Sequence, residues 1–335
     1  MELSTISLAD FVKMADVIWF KGADSVAQYA RRSGLFKEES IPMNTGNTRE
    51  YSEIDLEEYA KVKGESDQAQ RARVQQGYSK TLTSYRVALD IGISYEMRTQ
   101  NKYQRVVDML TNLAPTAYNR LDLDLTHRVT FATATSYTDM DGRTVDVSVG
   151  DTLALASTVH TLKGSSTTYR NRLAGNPQLS KGAMEGMERL IVEETYNHLG
   201  QKKTMEFDIL WTTDDPNTVN TAREYLQSTA DPTQNNAGVV NVYKSKYRHV
   251  VLPRIATDKD GANDTTKRKY WGIAASRYST AHLALFEEPH LKKPTNLNAG
   301  EEFSTDDWNF GVRGGWGICI VSANWFKIST GDGTA

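Results

Sequence analysis

Apolar side chains recur along this chain with two different periods, and the switches between the periods mark its elements. Near the start, Leu8, Phe11, Val12, Ala15, Ile18 and Trp19 follow helical spacing, with Ser7 placed to cap the run and Gly22 to interrupt it. A second short helix is expected over 25–32, ending before Gly34. Residues 37–77 are different. They carry Glu38, Glu39, Glu57, Glu58, Lys61, Lys63, Glu65, Arg71 and Arg73 with few large apolar side chains, and alone would read as a solvated loop. The next stretch changes that reading. Tyr85, Val87, Leu89, Ile91, Ile93 and Tyr95 alternate with Arg86, Ala88, Asp90, Gly92, Ser94 and Glu96, the clearest period of two in the sequence. A strand over 78–95 would span about 60 Å at about 3.3 Å per residue. Such a strand needs a partner, and 49–54 is the nearest candidate. The pattern predicts a long hairpin with a charged tip. A projecting hairpin cannot bury its own surface well, so it is expected to lie on another subunit.

A long helix follows. Tyr103, Val106, Val107, Leu110, Leu113, Ala114, Ala117 and Leu121 keep the i, i+3, i+4 rule, predicting a helix over 97–127 of about 45 Å. Pro115 lies inside it and predicts a kink or a break. Asp141-Gly142 is a hairpin turn between 131–140 and 143–149. Asp151 is expected to cap a helix through Leu153, Ala156, Val159 and Leu162, and Ser180 a helix through Met184, Met187, Leu190 and Ile191. Residues 205–211 read as a strand, followed by a turn at Pro216 and a helix through Val219, Ala222, Tyr225 and Leu226. Further strands are expected at 239–243, 249–255, 270–275 and 281–286, and an apolar strand pair over 311–328 closes the chain. The order is hairpin, long helix, mixed lobe, terminal strands. It predicts two α+β lobes, the last strands returning to the lobe of the long helix.

Composition narrows the function classes. Hydrophobic residues make up 39% and charged residues 24%, which suits a folded chain and not a disordered one. No apolar run approaches a membrane span. Met1-Glu2-Leu3 is not basic and no signal-like segment follows, so a cytoplasmic site of synthesis is the expectation. The net charge of −3 argues against nucleic-acid binding as the main task. The single cysteine, Cys319, sits in the apolar run Ile318-Cys319-Ile320-Val321 and reads as a buried structural thiol.

Four stretches resemble the major capsid proteins of tailed bacteriophages with the Hong Kong 97-type fold. The polar segment with Tyr78-Ser79-Lys80-Thr81-Leu82-Thr83-Ser84-Tyr85-Arg86-Val87-Ala88-Leu89 is similar to the family's extended loop, and the helix from Met97 to its spine helix. Phe207-Asp208-Ile209-Leu210-Trp211 with Ala222-Arg223-Glu224-Tyr225-Leu226 resembles the start of the axial domain's sheet. Val312-Arg313-Gly314-Gly315-Trp316-Gly317-Ile318 with Trp325-Phe326-Lys327-Ile328 resembles the strand returning to the peripheral domain. The resemblance rests on order and spacing, and no fused coiled-coil leader is visible. It implies an α+β chain with an N-terminal arm (1–43), an extended β-hairpin loop (44–96), a peripheral domain with a spine helix (97–165), an axial domain (166–300) and return strands of the peripheral domain (301–335). It implies hexamers and pentamers of an icosahedral shell around double-stranded DNA, held without sequence specificity on the inner face. Scaffold, portal and decoration proteins are the other implied partners, and the virion, assembled in a bacterial cytoplasm, the implied location. Arg49, Tyr51, Lys61, Lys63, Arg71, Arg73, Tyr78 and Tyr85 are then the intersubunit contacts of the loop. An encapsulin-like compartment subunit and a phage tail or adhesin subunit stay open as alternatives.

Signatures of chemistry are sparse. There is no phosphate loop, no H-E-x-x-H and no G-x-S-x-G, and the six histidines lack ligand spacing. Residues 258–264 partly resemble a calcium loop but lack the distal glutamate, so a polar turn is the reading. Asp122 and Asp124 lie two apart on the long helix and read as solvated charge. Some capsid proteins cross-link a loop lysine to an asparagine on a neighbour; Lys61, Lys63 and Lys80 with Asn309 and Asn324 would be the groups, and ordinary surface residues is the reading. No catalytic, cofactor or metal residue is assigned, and an enzyme would need a clustered polar site that the sequence does not display.

Overall fold

The computed structural model describes residues 8–42, 46–56, 59–100, 103–232, 239–294 and 307–333. Its frame is one long helix against one long strand. Helix α1 (Leu8–Asp24) and the short α2 (Tyr29–Arg32) lead into β1 (Lys37–Ser40), β2 (Thr48–Leu56), β3 (Val74–Thr83) and β4 (Tyr85–Ile93). A short α3 (Tyr95–Thr99) precedes the long α4 (Tyr103–Thr130). Two small hairpins follow, β5 (Ser136–Thr138) with β6 (Thr144–Asp146), and β7 (His160–Leu162) with β8 (Ser165–Tyr169). The rest is α5 (Lys181–Glu193), β9 (Ile209–Thr212), α6 (Pro216–Gln227), β10 (Arg248–Val251), β11 (Trp271–Ala274), β12 (Ala281–Lys292), β13 (Trp308–Ile320) and β14 (Phe326–Ser329). The first sheet has the order β1-β12-β13-β4 and the second β10-β9-β11-β14.

Strand β13 explains the first sheet. Trp308, Phe310, Val312, Trp316, Ile318 and Ile320 are all buried, at alternate positions, in the clusters built with α1 and α4. Gly311, Gly315, Gly317 and Cys319 take the opposite face. A Cβ at Gly317 would strike the Leu82 side chain, so its bareness lets β3 cross the sheet. The second sheet is buried throughout β9, β11 and β14. Trp211 stacks on Phe326 with ring centroids 5.1 Å apart. Fully buried Lys327 donates to the carbonyls of Arg170 (3.1 Å) and Glu194 (2.9 Å) and to Asn171 Oδ1 (3.2 Å). It ties the sheet to the β8–α5 region, and burial pushes its pKa down to about 7.

Several sequence expectations need correction. Ser7 lies outside the described residues, but α1 runs through Gly22 without interruption. Gly22 is a contact point: a Cβ there would sit 2.5 Å from the Ala114 Cβ and 3.5 Å from the Thr111 carbonyl. That carbonyl is the one Pro115 leaves without its helical donor. The close crossing of α1 therefore covers the gap, and α4 continues through Pro115. The second helix begins at Tyr29 rather than at residue 25, because Gln28 takes a left-handed conformation (φ 44°). The expected 60 Å strand is two strands. The chain passes at Ser84, whose N–H donates to the Asn47 carbonyl, from β3, paired with β2, to β4, paired with β13. The helix expected after Asp151 is absent. Thr152 is left-handed (φ 67°), and the Asp151 carboxylate faces His160 Nδ1 at 2.7 Å instead of capping a helix. Residues 239–243 form only an isolated bridge, Val240 with Ala230. The closing strand pair splits: β13 returns to the sheet against α4, whereas β14 pairs with β11. The helices after Ser180 and near Pro216 form as read, with Ser180 and Asp215 as N-caps.

Two outcomes test this packing. Gly22→Leu should force α1 off α4 and cost about 2 kcal/mol in a denaturant melt. Between pH about 7 and 10.5 the unfolded Lys327 holds its proton and the folded one has released it, so raising the pH favours the folded state. Stability of the wild type should rise across that window, and Lys327→Met should remove the rise.

Candidate assembly surface

The hairpin β2–β3 is the element that the core accounts for least. Its strands pair antiparallel from Thr48↔Thr83 to Leu56↔Val74, with an irregularity between Ser52 and Ile54. Beyond it Glu53 and Asp55 turn towards the body and Ile54 and Leu56 away from it. Ile54 is 69% exposed, Leu56 49% and Val74, opposite Leu56, 60%. Every described residue of the tip, 59–73, is exposed, and Val62 is 99% so. The hairpin thus carries charge on the face turned to its own chain and apolar side chains on the face turned to water, the reverse of an ordinary surface hairpin.

The expectation that the hairpin would find no support on its own body is corrected for its basal part. Gly77 lies against the His198 ring, where a Cβ would clash. Lys163 Nζ donates to the Gly77 carbonyl at 3.2 Å, and Tyr78 and Thr161 share a hydroxyl–hydroxyl hydrogen bond of 2.8 Å. Lys203 pairs with Asp55 at 3.0 Å, and the His198 N–H donates to the same carboxylate at 3.3 Å. His198 Nε2 lies 2.9 Å from Glu53 Oε2. Leu82 is buried on Gly317, and Lys80 pairs with Asp146 at 3.0 Å. Glycines at 77, 164 and 317 allow the close approach; the Gly164 N–H donates to the His198 carbonyl at 3.1 Å, beside the Gln75 side chain.

The eight residues read from the sequence divide into three groups. Lys61, Lys63, Arg71 and Arg73 are exposed together on the tip. Arg49 and Tyr51 meet Glu39, at 3.2 and 2.8 Å, and Tyr51 stacks on His282 at 4.0 Å. Tyr78 and Tyr85 are engaged within the chain. The Tyr85 hydroxyl donates to Asp124 at 2.7 Å, Trp316 Nε1 donates to the same oxygen at 3.1 Å, and Arg120 pairs with the other oxygen at 3.0 Å. The Arg143 guanidinium covers the Tyr85 ring at 3.5 Å. Asp124 is therefore not solvated, contrary to the sequence reading; it is buried, and so is Asp122, which accepts from the Ala30 N–H at 2.7 Å. Burial raises both carboxyls, against the pull of their partners.

Ile54, Leu56, Glu53, Asp55 and His198 were not singled out from the sequence. The alternation Glu53-Ile54-Asp55-Leu56 was a usable signal, but which face turns inward is decided by His198 and Lys203, far away in the chain. Two other polar residues read from the sequence are engaged within the chain. Asp258 Oδ1 accepts from the N–H groups of Asp260 (2.9 Å) and Ala262 (2.8 Å), as a turn carboxylate does. Asn324 donates to the distant Tyr196 carbonyl at 2.7 Å, while its buried Oδ1 has no hydrogen-bond partner. Among the described residues no three His, Cys, Asp or Glu side chains are grouped to hold a metal ion, and no helix is long and apolar enough to cross a membrane.

No family model matches the sequence, and no curated protein matches it. Similar solved structures include one from Gordonia phage Cozz, at 14% identity over 88% of this chain and 84% of that chain, with a TM-score of 0.49. The capsid of cyanophage P-SCSP1u matches at 11% identity over 88% and 85%, with a TM-score of 0.48. A virus-like particle from Pyrococcus furiosus matches at 11% identity over 95% and 98%, with a TM-score of 0.46.

The network beneath the hairpin gives a direct test. Asp124→Ala leaves the Tyr85 hydroxyl and part of the Arg120 guanidinium without their buried acceptor, and the Trp316 indole N–H with only the Tyr85 oxygen, 3.0 Å away. It should lower stability by about 3 kcal/mol, read from chemical denaturation.

Proposed function

We propose that this chain is a structural subunit that assembles with copies of itself, as the major capsid protein of a tailed bacteriophage. The observation that carries this reading is the hairpin's reversed polarity. Ile54, Leu56 and Val74 form an outward apolar face backed by a rigid, well-docked base, and the tip beyond it adds Tyr59 (64% exposed) and Val62. A lone subunit leaves this surface in water, whereas a sister copy covers it at no cost to the core.

In this reading residues 1–43 form the arm, 44–96 the finger, 97–165 the peripheral domain around α4 and 166–300 the axial domain. Residues 301–335 return to the peripheral domain, except that β14 belongs with the axial sheet. Subunits close into hexamers and pentamers of an icosahedral shell, each contact modest and the sum large. The enclosed partner is double-stranded DNA, tolerated without sequence readout, in keeping with a net charge of −3. Scaffold, portal and decoration proteins are further partners, and the shell forms in the bacterial cytoplasm before it becomes the virion. No step of chemistry is assigned to the chain.

The test is Ile54→Glu with Leu56→Glu. Both positions are exposed, so the melting temperature should stay within a few degrees of wild type, while closed particles in negative-stain images disappear. Normal particles from this variant would overturn the reading. Nuclease-protected DNA in particles from infected cells distinguishes a genome shell from an empty compartment.

A further inference from the structure

Where the chain passes from β3 to β4 it leaves a cleft of about 480 Å³. Lys80 and Ser84 line it from the strand crossing, Arg143 and Asp146 from the β5–β6 hairpin, and Arg128 from the last turns of α4. Arg128 is 5% exposed, and its Nε is buried with no hydrogen-bond partner. Its Nη1 donates to the Asp146 carbonyl. A guanidinium at this depth is ordinarily paired with a carboxylate. The carboxylates nearby are bound to other groups. Asp124 feels the Arg128 charge, but it is held by Arg120, Tyr85 and Trp316. Asp139 pairs with Arg120 and Arg143. Asp146 Oδ2 lies 3.0 Å from Lys80 Nζ, and its Oδ1 accepts from the Ser148 N–H at 2.9 Å and the Ser148 hydroxyl at 2.7 Å. Arg128 is left with no ion pair among the described residues.

The two cations are also pressed together. Lys80 and Arg128 are both bonded to Asp146, one through its carboxylate and one through its carbonyl. Burial holds the Lys80 pKa below the ordinary lysine value, and the Arg128 charge pushes it the same way, against the pull of Asp146. An anion in the cleft relieves this repulsion and gives the Arg128 Nε its acceptor. The donors stand on three separate elements, so they suit an anion whose oxygens point in several directions better than a planar carboxylate. We propose that this cleft is an anion site for a phosphate group, with Arg128 and Lys80 as its ligands and Arg143 completing its wall. The site does not depend on the assembly reading above.

Titration calorimetry of the full chain with inorganic phosphate tests it, at constant ionic strength and below the assembly concentration. Wild type should bind one phosphate per chain with a Kd below about 1 mM. Arg128→Gln and Lys80→Gln should each weaken binding about tenfold. Lys259→Gln, on an exposed turn, should bind as wild type does. No saturable binding, an unchanged affinity in Lys80→Gln, or an equal loss in Lys259→Gln overturns the site. Acetate that displaces phosphate at equal concentration overturns the choice of phosphate. If Arg128→Gln does not fold, Lys80→Gln still decides. The source of the phosphate is read by competition: a short DNA duplex displaces the ion if the cleft takes a backbone phosphate and leaves it bound if the cleft takes the free ion, and either result supports the site.

Discussion

A strand that is bulky on one side and bare on the other sets the terms for the whole molecule. β13 has to fill the space beneath a 28-residue helix, and its tryptophans, Phe310 and aliphatic side chains do so at every second position. Its other side has to let a second layer of chain pass at close range, which the bare Gly317 beneath Leu82 permits. Remove either property and the finger has nowhere to be rooted. The polar knot at Tyr85, Asp124, Trp316 and Arg120 sits where helix, strand and finger meet. It joins β4, β13 and α4 through one buried carboxylate.

Much of this was legible in the residues. The 3.6 period of α4, the alternation of β4, the caps Ser180 and Asp215 and the turn at Asp141-Gly142 are local signals, and each names its element. Expectations failed where a distant contact decided. Gly22 looked like a helix breaker but is the point where α1 meets the carbonyl freed by Pro115. The residues after Asp151 had helical spacing, yet the carboxylate met His160 and the backbone turned left-handed. The two carboxylates at 122 and 124 read as solvent charge because their partners come from residues 30, 85, 254 and 316. The finger was visible as a polar gap followed by an alternating strand. Its inward and outward faces were not, because the residues that choose between them lie more than a hundred positions further on.

The hairpin combines two properties that usually exclude one another. Its base is held by ion pairs, glycine seats and a buried leucine, so its direction is defined before any partner arrives. Its far end is open to water. A surface oriented in advance loses little freedom on docking, which is why modest contacts repeated around a ring can suffice.

Cys319 sits on the bare side of β13, 3% exposed, with its thiol pushed up to about 11 by burial. It is the only sulfhydryl in these 335 residues. A thiol that is shut away and protonated neither couples to a neighbour nor exchanges with small oxidants. A contact between copies of this chain therefore does not run through a disulfide at Cys319. The fold of the strand that carries Cys319 is likewise independent of whether its surroundings are reducing or oxidising.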